Sequence, residues 1–156
     1  MRVWIDKMEV QHLDAVVEIE KAAFSPPWTK TLFFQETCQP DSDCYVLLVG
    51  QRSRVAAYAA AWTVAGECTL NKIACSSDFR RHGYATKLLA YLARAVSAKG
   101  AKVIFIETRV SNDSAIAFYA GQGFKKTGVR KGYYVNPRED AVLMILDLET
   151  YFKRIT

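Results

Sequence analysis

The sequence predicts a single α/β domain, residues 1–156, in which helices cover both faces of one mixed β-sheet. A length of 156 residues is typical of one hydrophobic core, and 51% hydrophobic residues are enough to fill it. Strand-like runs fill the middle of the chain, and a strongly amphipathic helix begins at Tyr84 and precedes an apolar run at 103–106. Since a helix is the usual connection between parallel neighbours, we expect a mixed rather than an antiparallel sheet.

The first half of the chain predicts two helices and then three strands. Apolar residues recur at helical spacing over 14–23, and the Ser-Pro-Pro segment at 25–27 ends that helix. Thr29 is placed to cap a second, short helix, which the polar segment 39–43 ends. The three strands form a predicted meander at 45–49, 55–64 and 67–75, with Gly66 before the third.

The second half predicts two helices and three strands. One apolar stripe marks the helix from Tyr84, and Gly100 lies at its C-terminal cap. The run 103–106 is apolar on both faces, as in a buried parallel strand. The remaining elements are a short helix, which Ser111 or Asn112 caps and Gly121 and Gly123 end, and two strands at 124–134 and 141–148.

Composition and charge exclude several classes of protein. The longest uncharged apolar stretch, 55–65, is well short of the ~20 residues of a membrane helix, and residues 1–7 do not resemble a signal peptide, so we expect a cytoplasmic protein. Four cysteines without a C-x-x-C pair favour a reduced compartment, and two histidines at no ligand-like spacing argue against a metal site. The net charge of +5 indicates affinity for anions, but no RNA-binding motif is present, so direct nucleic-acid binding is not expected.

A basic turn that contains glycine joins the third strand to the amphipathic helix. A helix N-terminus presents unpaired backbone N–H groups and the positive end of the helix dipole, which together bind phosphate. Arg80 and Arg81 add cationic donors, and Gly83 permits close approach of a ligand. The spacing matches neither a P-loop nor a Rossmann fingerprint, which disfavours ATP and NAD. An ordinary basic loop before a helix is the alternative interpretation.

This turn and three other segments resemble one enzyme superfamily. Residues 80–85, Arg-Arg-His-Gly-Tyr-Ala, resemble the (Q/R)-x-x-G-x-(G/A) turn that cradles the pyrophosphate of acetyl-CoA in GNAT acetyltransferases. Three further segments lie in the family's order along the chain: 71–75 resembles the strand that pairs with the pantetheine arm, 106–112 resembles L-E-V-R-x-S-N, and 115–124 resembles A-x-x-L-Y-x-x-x-G-F.

Two further segments narrow the resemblance to one branch of the superfamily. Phe-Ser-Pro-Pro-Trp at 24–28, and Tyr-Tyr at 133–134 followed by Glu-Asp-Ala at 139–141, are similar to the branch that acetylates protein N-termini, closest to bacterial ribosomal-protein-alanine acetyltransferases. The resemblance implies one N-acetyltransferase domain, acetyl-CoA as donor, and a protein N-terminus, expected to be ribosomal, as acceptor. An acetyltransferase for lysine or small amines, or a non-catalytic acyl-CoA-binding module, is the alternative, because a fold does not fix its acceptor.

The resemblance also implies which residues contact acetyl-CoA. A backbone N–H near Cys75 is expected to polarise the thioester carbonyl. The Cys75 thiol is not expected to be a nucleophile, because the family transfers acetyl directly. The implied cofactor contacts are Ile73, Ala74, Cys75, Arg80, Arg81, His82, Gly83, Tyr84, Ala85, Thr86 and Asn112, the last of which is also suited to cap a helix.

Acetyl transfer to an amine needs a base and an acid. An α-amino group, with a pKa of about 7.7–8.0 against about 10.4 for lysine, needs only a modest base. Glu107 matches the family's glutamate and is the expected base; an exposed glutamate at a strand end is the alternative. The resemblance gives Tyr119 the role of acid, and an aromatic core contact beside Phe118 is the alternative.

The last two strands are expected to contact the acceptor. Tyr134 and Glu139 are candidates for binding the substrate amine or its backbone. The alternative is a polar hairpin whose tyrosines pack on their own strands. The Asn-Pro-Arg segment at 136–138 departs from the more glycine-rich loop of the family.

Overall fold

The computed structural model describes all 156 residues. They form one seven-stranded sheet and five α-helices. The strands are β1 (Val3–Lys7), β2 (Ser42–Val49), β3 (Arg54–Val64), β4 (Glu67–Cys75), β5 (Val103–Arg109), β6 (Lys125–Val135) and β7 (Arg138–Asp147). The helices are α1 (Leu13–Ala23), α2 (Lys30–Thr37), α3 (Tyr84–Ala98), α4 (Asp113–Gly121) and α5 (Leu148–Ile155). No helix has the length and apolar character that a membrane span requires.

The sheet is mixed, and its one parallel pairing is short. The strand order is β1-β2-β3-β4-β5-β7-β6, and β4 and β5 are the parallel neighbours, joined by α3. Their pairing covers only residues 67–69 of β4 and 103–105 of β5. Beyond these residues the two strands are no longer paired with each other, while β5 stays paired with β7 along its whole length. A cleft therefore opens in the middle of the sheet.

Helices cover both faces of the sheet, as predicted. The larger core cluster lies between α3 and the face of the sheet that this helix covers, and it includes Leu88, Leu92 and Val96 from α3. The smaller cluster lies under α1 and α2 and includes Val16 and Phe33. Burial of these side chains on both faces is the main stabilising contribution to the fold.

A β-bulge in β4 determines which side chains face each layer. Two consecutive residues of β3 lie opposite Leu70 and Lys72, so Asn71 is the extra residue. Without a bulge, Leu70 and Lys72 would lie on the same face. With it, Leu70 and Ile73 pack with the larger cluster, whereas Lys72 pairs with Glu20 of α1 on the opposite face.

The predicted elements are confirmed, but two further elements were not predicted. β1 is a short edge strand that pairs with β2 through Val3–Lys7. The predicted last strand, 141–148, is wrong at its end, because Leu148 begins α5. Asp147 caps this helix by accepting a hydrogen bond from the Thr150 N–H at 2.9 Å.

Candidate active site

Two cavities meet where β4 and β5 separate. The first, of about 600 Å³, contains the 80–86 turn and is called the turn-side cavity. The second, of about 710 Å³, contains the β6–β7 hairpin and is called the hairpin-side cavity. They share a wall, to which the following residues contribute: Ala23, Phe24, Leu70, Asn71, Lys72, Glu107, Thr108 and Asn112.

The N-terminus of α3 in the turn-side cavity has no side-chain cap. Gly83 holds the cap position with φ of +75° and ψ of 17°, in the left-handed region. Three other helices are capped by side-chain oxygens, namely those of Thr29, Asn112 and Asp147. A Cβ on Gly83 would meet no atom within 4 Å, so the cap faces open space. The first backbone N–H groups of α3 are therefore free to bind an anion.

The predicted residues of the turn divide into cavity lining and support. All of those from Arg80 to Thr86 except His82 line the turn-side cavity. The Nδ1 atom of His82 lies 3.0 Å from the Phe79 carbonyl and 2.8 Å from the Arg80 carbonyl, so Nδ1 carries the proton. The ring also stacks on Tyr84, with centroids 5.3 Å apart. The His82 side chain thus braces the turn and does not line the cavity, so the cofactor contact of His82 stays a prediction.

The other wall of the turn-side cavity comes from the free end of β4. Ile73, Ala74 and Cys75 all line the cavity in the stretch that has no β5 partner. Burial raises the pKa of the Cys75 thiol, which donates a hydrogen bond to the Phe79 carbonyl at 3.5 Å. A thiol held in this way is a poor nucleophile at neutral pH.

Glu107 lies on the wall shared by the two cavities. Its side chain is 30% exposed, and its carboxylate lies 3.3 Å from the guanidinium of Arg130 on β6. The same carboxylate is the main cause of the raised pKa of Tyr133. Arg130 thus pairs with Glu107 at the point where the cavities meet.

Tyr119 lies on the turn-side cavity, at the end of α4. The residue is buried and packs against Phe118 and Phe124, with ring centroids 5.5 and 5.2 Å away. Burial raises the pKa of its hydroxyl, which keeps the proton at neutral pH.

Asn112 both caps α4 and lines the two cavities, as expected. Its side chain accepts a hydrogen bond from the Ala115 N–H at 3.2 Å.

Tyr134 and Glu139 both line the hairpin-side cavity, but the Glu139 carboxylate is already occupied. One of its oxygens accepts from the Ser111 N–H at 2.6 Å, and the other lies 3.3 Å from Arg109. The hydrogen bond from Ser111 is the main cause that holds the pKa of Glu139 below its usual value, and the charge and hydrogen bond of Arg109 are a smaller cause. Tyr134 lies under the Arg109 guanidinium, 4.3 Å from its ring centroid, and burial raises the pKa of Tyr134 to about 12.

Comparison with known proteins assigns this chain to a family. The model of the acetyltransferase (GNAT) family matches residues 13–124. This chain belongs to the GNAT family. It is 32% identical over 147 residues to the ribosomal protein bS18-alanine N-acetyltransferase of Escherichia coli (strain K12), covering 92% of this chain and 97% of the relative. It is 34% identical over 148 residues to the enzyme of the same name from Haemophilus ducreyi, covering 92% and 99%.

Solved structures of GNAT enzymes share the fold. The crystal structure of the ribosomal-protein-S18-alanine N-acetyltransferase from Escherichia coli has a TM-score of 0.82 at 32% identity and covers 94% of each chain. Arabidopsis thaliana NAA60, in complex with acetyl-CoA, has a TM-score of 0.84 at 12% identity, which shows the fold alone. Together with the family match, these relatives identify the protein as an acetyl-CoA-dependent N-acetyltransferase and confirm the predicted resemblance.

The residues of the turn-side cavity fit the donor that GNAT enzymes use. The uncapped start of α3 and Arg80 and Arg81 suit the pyrophosphate of acetyl-CoA. The unpaired edge of β4 offers backbone donors and acceptors to the amide groups of the pantetheine arm. No group of three His, Cys, Asp or Glu side chains is placed to hold a metal ion.

Sequence reasoning missed a buried ion pair that joins Lys72, on the shared wall of this GNAT site, to Glu20 of α1. Glu20 of α1 is fully buried and lies 2.9 Å from the Nζ of Lys72, whose side chain is 12% exposed. The Nζ atom also lies 4.0 Å from the ring centroid of Phe24 and 5.2 Å from that of Trp28. One signal was present in the sequence, because Glu20 falls on the apolar stripe of α1.

Proposed function

We propose that this enzyme acetylates the α-amino group of a protein N-terminus, an N-terminal alanine of a ribosomal protein, in the cytoplasm. One observation carries the proposal: the hairpin-side cavity meets the turn-side cavity at Glu107, opposite the side that suits acetyl-CoA. An amine that enters through the hairpin-side cavity reaches a thioester held in the turn-side cavity. The names of the Escherichia coli and Haemophilus ducreyi relatives, which match over almost their whole length, support alanine and a ribosomal protein as the acceptor.

In the proposed reaction, the turn-side cavity holds the donor and the shared wall holds the reacting amine. Acetyl-CoA supplies an acetyl group activated as a thioester. The N–H groups that begin α3, with Arg80 and Arg81, bind its pyrophosphate. Ile73, Ala74 and Cys75 bind the arm through backbone atoms, and an N–H near Cys75 donates to the thioester oxygen as negative charge develops there.

Glu107 and Tyr119 carry the protons in this proposal. The amine nitrogen forms a bond to the acetyl carbon, the bond from that carbon to sulfur breaks, and the electron pair leaves on sulfur. Glu107 takes the proton that the amine loses, directly or through water, and Tyr119 gives its proton to the departing thiolate. The position of Glu107 where the two cavities meet, paired with Arg130, supports its role, and burial supports the role of Tyr119 because it favours the protonated form of the hydroxyl.

Acetyl transfer to two matched peptides tests the proposal. One peptide has a free N-terminal alanine and no lysine, and the other has a blocked N-terminus and one internal lysine. Each is incubated with the full-length enzyme and acetyl-CoA, and the products are located by mass spectrometry. Modification of the free N-terminus alone supports the proposal, and a Glu107→Gln variant serves as the control for enzymatic transfer. Labelling of lysine alone, or binding of acetyl-CoA without transfer to either peptide, overturns it.

A second series tests the identity of the N-terminal residue. The free peptide is compared with variants that begin with serine, leucine or aspartate and are otherwise identical. The proposal expects the highest kcat/KM for alanine. Equal values across the series overturn the assignment of alanine while leaving N-terminal acetylation in place.

A further inference from the structure

One arginine side chain joins the separate segments that line the hairpin-side cavity. Arg109, the last residue of β5, donates from Nη1 to the Pro137 carbonyl at 2.8 Å and from Nη2 to the Ser25 carbonyl at 3.0 Å. Nη2 also lies 3.3 Å from the Asn136 carbonyl, and the guanidinium covers the ring of Tyr134 at 4.3 Å. The loop between α1 and α2 is thereby tied to the β6–β7 hairpin.

The guanidinium is held in place by a carboxylate. Arg109 and Glu139 are 19% and 16% exposed, and Nη1 lies 3.3 Å from Glu139. The other oxygen of Glu139 accepts from the Ser111 N–H at 2.6 Å, so the carboxylate is itself fixed to the backbone. A planar fork with five donors can satisfy a carboxylate and several carbonyls at once, which an ammonium group cannot do in the same geometry.

Apart from the bonds of Arg109, no hydrogen bond connects the α1–α2 loop with the β6–β7 hairpin. The N–H of Trp28, at the far end of the α1–α2 loop, donates to Glu20 on the same side of the cleft. The bond from Arg109 to Ser25 joins residues 84 positions apart. Arg109 lines the hairpin-side cavity and does not line the turn-side cavity.

We propose that Arg109 is a positioning residue that holds the acceptor-binding cavity in its shape, by clamping the α1–α2 loop and the β6–β7 hairpin to the end of β5. Glu139 acts through Arg109 and does not bind the acceptor directly. The inference rests on the proposed function in so far as the hairpin-side cavity binds the acceptor. Loss of the clamp weakens acceptor binding, leaves acetyl-CoA binding unchanged and has a smaller effect on the chemical step.

The kinetic test uses two substitutions and a matched control. Arg109→Met removes the clamp, and Arg109→Lys keeps the charge but not the fork. Arg52→Met and Arg52→Lys make the same changes at an exposed arginine in the β2–β3 turn. We expect Arg109→Met to raise the acceptor KM by about 10- to 100-fold, with Arg109→Lys intermediate and both Arg52 variants unchanged. The Kd for acetyl-CoA, measured by calorimetry, should change less than about twofold.

Absence of the clamp and failure of the proposed function give different experimental results. KM is measured with whichever acceptor the wild-type enzyme modifies, so the identity of that acceptor is decided separately by the peptide comparison. Hydrogen exchange without any acceptor supplies an independent readout. Exchange should accelerate in residues 24–29 and 132–139 of Arg109→Met and stay unchanged in α3. An unchanged KM with unchanged exchange overturns the clamp, and an equal loss of acetyl-CoA affinity shows general structural damage instead.

A double-mutant cycle decides the role of Glu139. If Glu139 acts only through Arg109, adding Glu139→Gln to Arg109→Met leaves the acceptor KM as it is in Arg109→Met alone. If Glu139 contacts the acceptor directly, the two substitutions raise KM independently and their effects multiply. That second result would overturn the assignment of Glu139 as part of the clamp.

Discussion

Replacing Lys72 with methionine should destabilise the protein far more than the loss of an ordinary surface lysine. Lys72 is 12% exposed, and its partner Glu20 is fully buried. The Glu20 carboxylate also accepts from the Trp28 N–H at 2.8 Å and from the Tyr58 hydroxyl. Lys72→Met keeps the apolar stem but leaves a buried carboxylate with neutral donors only. We do not expect these neutral donors to replace the charge of the ammonium.

The expected loss follows from the burial of this pair. Removing one partner of a buried ion pair costs about 3–5 kcal/mol. The two remaining donors to Glu20 place this case near the lower end, at about 3 kcal/mol. For a chain of this size, that loss lowers Tm by about 6–12 °C. The substitution also removes the contact of the Lys72 ammonium with the Phe24 ring. A contact between the polarisable methionine sulfur and the ring partly replaces it.

Urea unfolding of four proteins, followed by circular dichroism, measures this loss. They are the wild type, Lys72→Met, Glu20→Gln and the double variant. The double variant should be more stable than the sum of the single losses predicts, by at least about 1.5 kcal/mol, because it leaves no unpaired buried charge. The control is Lys30→Met, which breaks a pair with Asp14 that is equally close, at 2.8 Å, but mostly exposed. It should lose less than about 1 kcal/mol. Equal losses for Lys72→Met and Lys30→Met would refute the reasoning.

Further variants test the site itself. Glu107→Gln should lower kcat at neutral pH by about 10²- to 10⁴-fold without changing the Kd for acetyl-CoA, and unchanged turnover at saturating substrate would remove Glu107 from the mechanism. Gly83→Glu should abolish acetyl-CoA binding in calorimetry through steric and charge conflict, and a normal affinity would disprove the phosphate-binding turn. Tyr119→Phe should lower kcat by about 10²-fold with little change in Tm, since only a hydroxyl is lost, and wild-type kcat would argue against its role as acid. The lowered pKa of Glu139 means that its ionised form stabilises the hairpin above its unfolded pKa of about 4.3 and that this contribution is lost as pH falls through the folded value. The hydrogen-exchange protection factor of the Ser111 amide, which is corrected for the intrinsic pH dependence of exchange, should therefore fall there in the wild type but not in Glu139→Gln.

The sequence predicted those parts of the fold and site that depend on local signals. The apolar stripe and glycine of α3 were visible in a few consecutive residues, and so was the basic turn before it. The two missed elements have weaker local signals. β1 is a five-residue edge strand with one partner, and α5 follows β7 without a break in the apolar pattern, so only the cap at Asp147 marks the boundary.

Interactions between distant segments were not predictable in this way. Glu107 was identified from its motif, but its contact with Arg130 depends on how β6 pairs with β7 across two register shifts. Arg109 occurs in the same motif, yet its partner Ser25 lies on a loop 84 positions away. Such pairs are set by the packing of whole elements, which no single window of sequence contains.

The pairing of carboxylates around the hairpin-side cavity has a chemical consequence for the proposed reaction. An unpaired carboxylate near the acceptor would stabilise its protonated ammonium form, which cannot attack a thioester. Glu20 and Glu139 each have a cation partner that is itself mostly buried, so neither is free to attract that ammonium. The partner of Glu107, Arg130, is 54% exposed, so solvent screens this pair most strongly of the three. In the proposed reaction, Glu107 is therefore the one carboxylate of the three that we expect to exchange its partner for the incoming amine and to accept its proton.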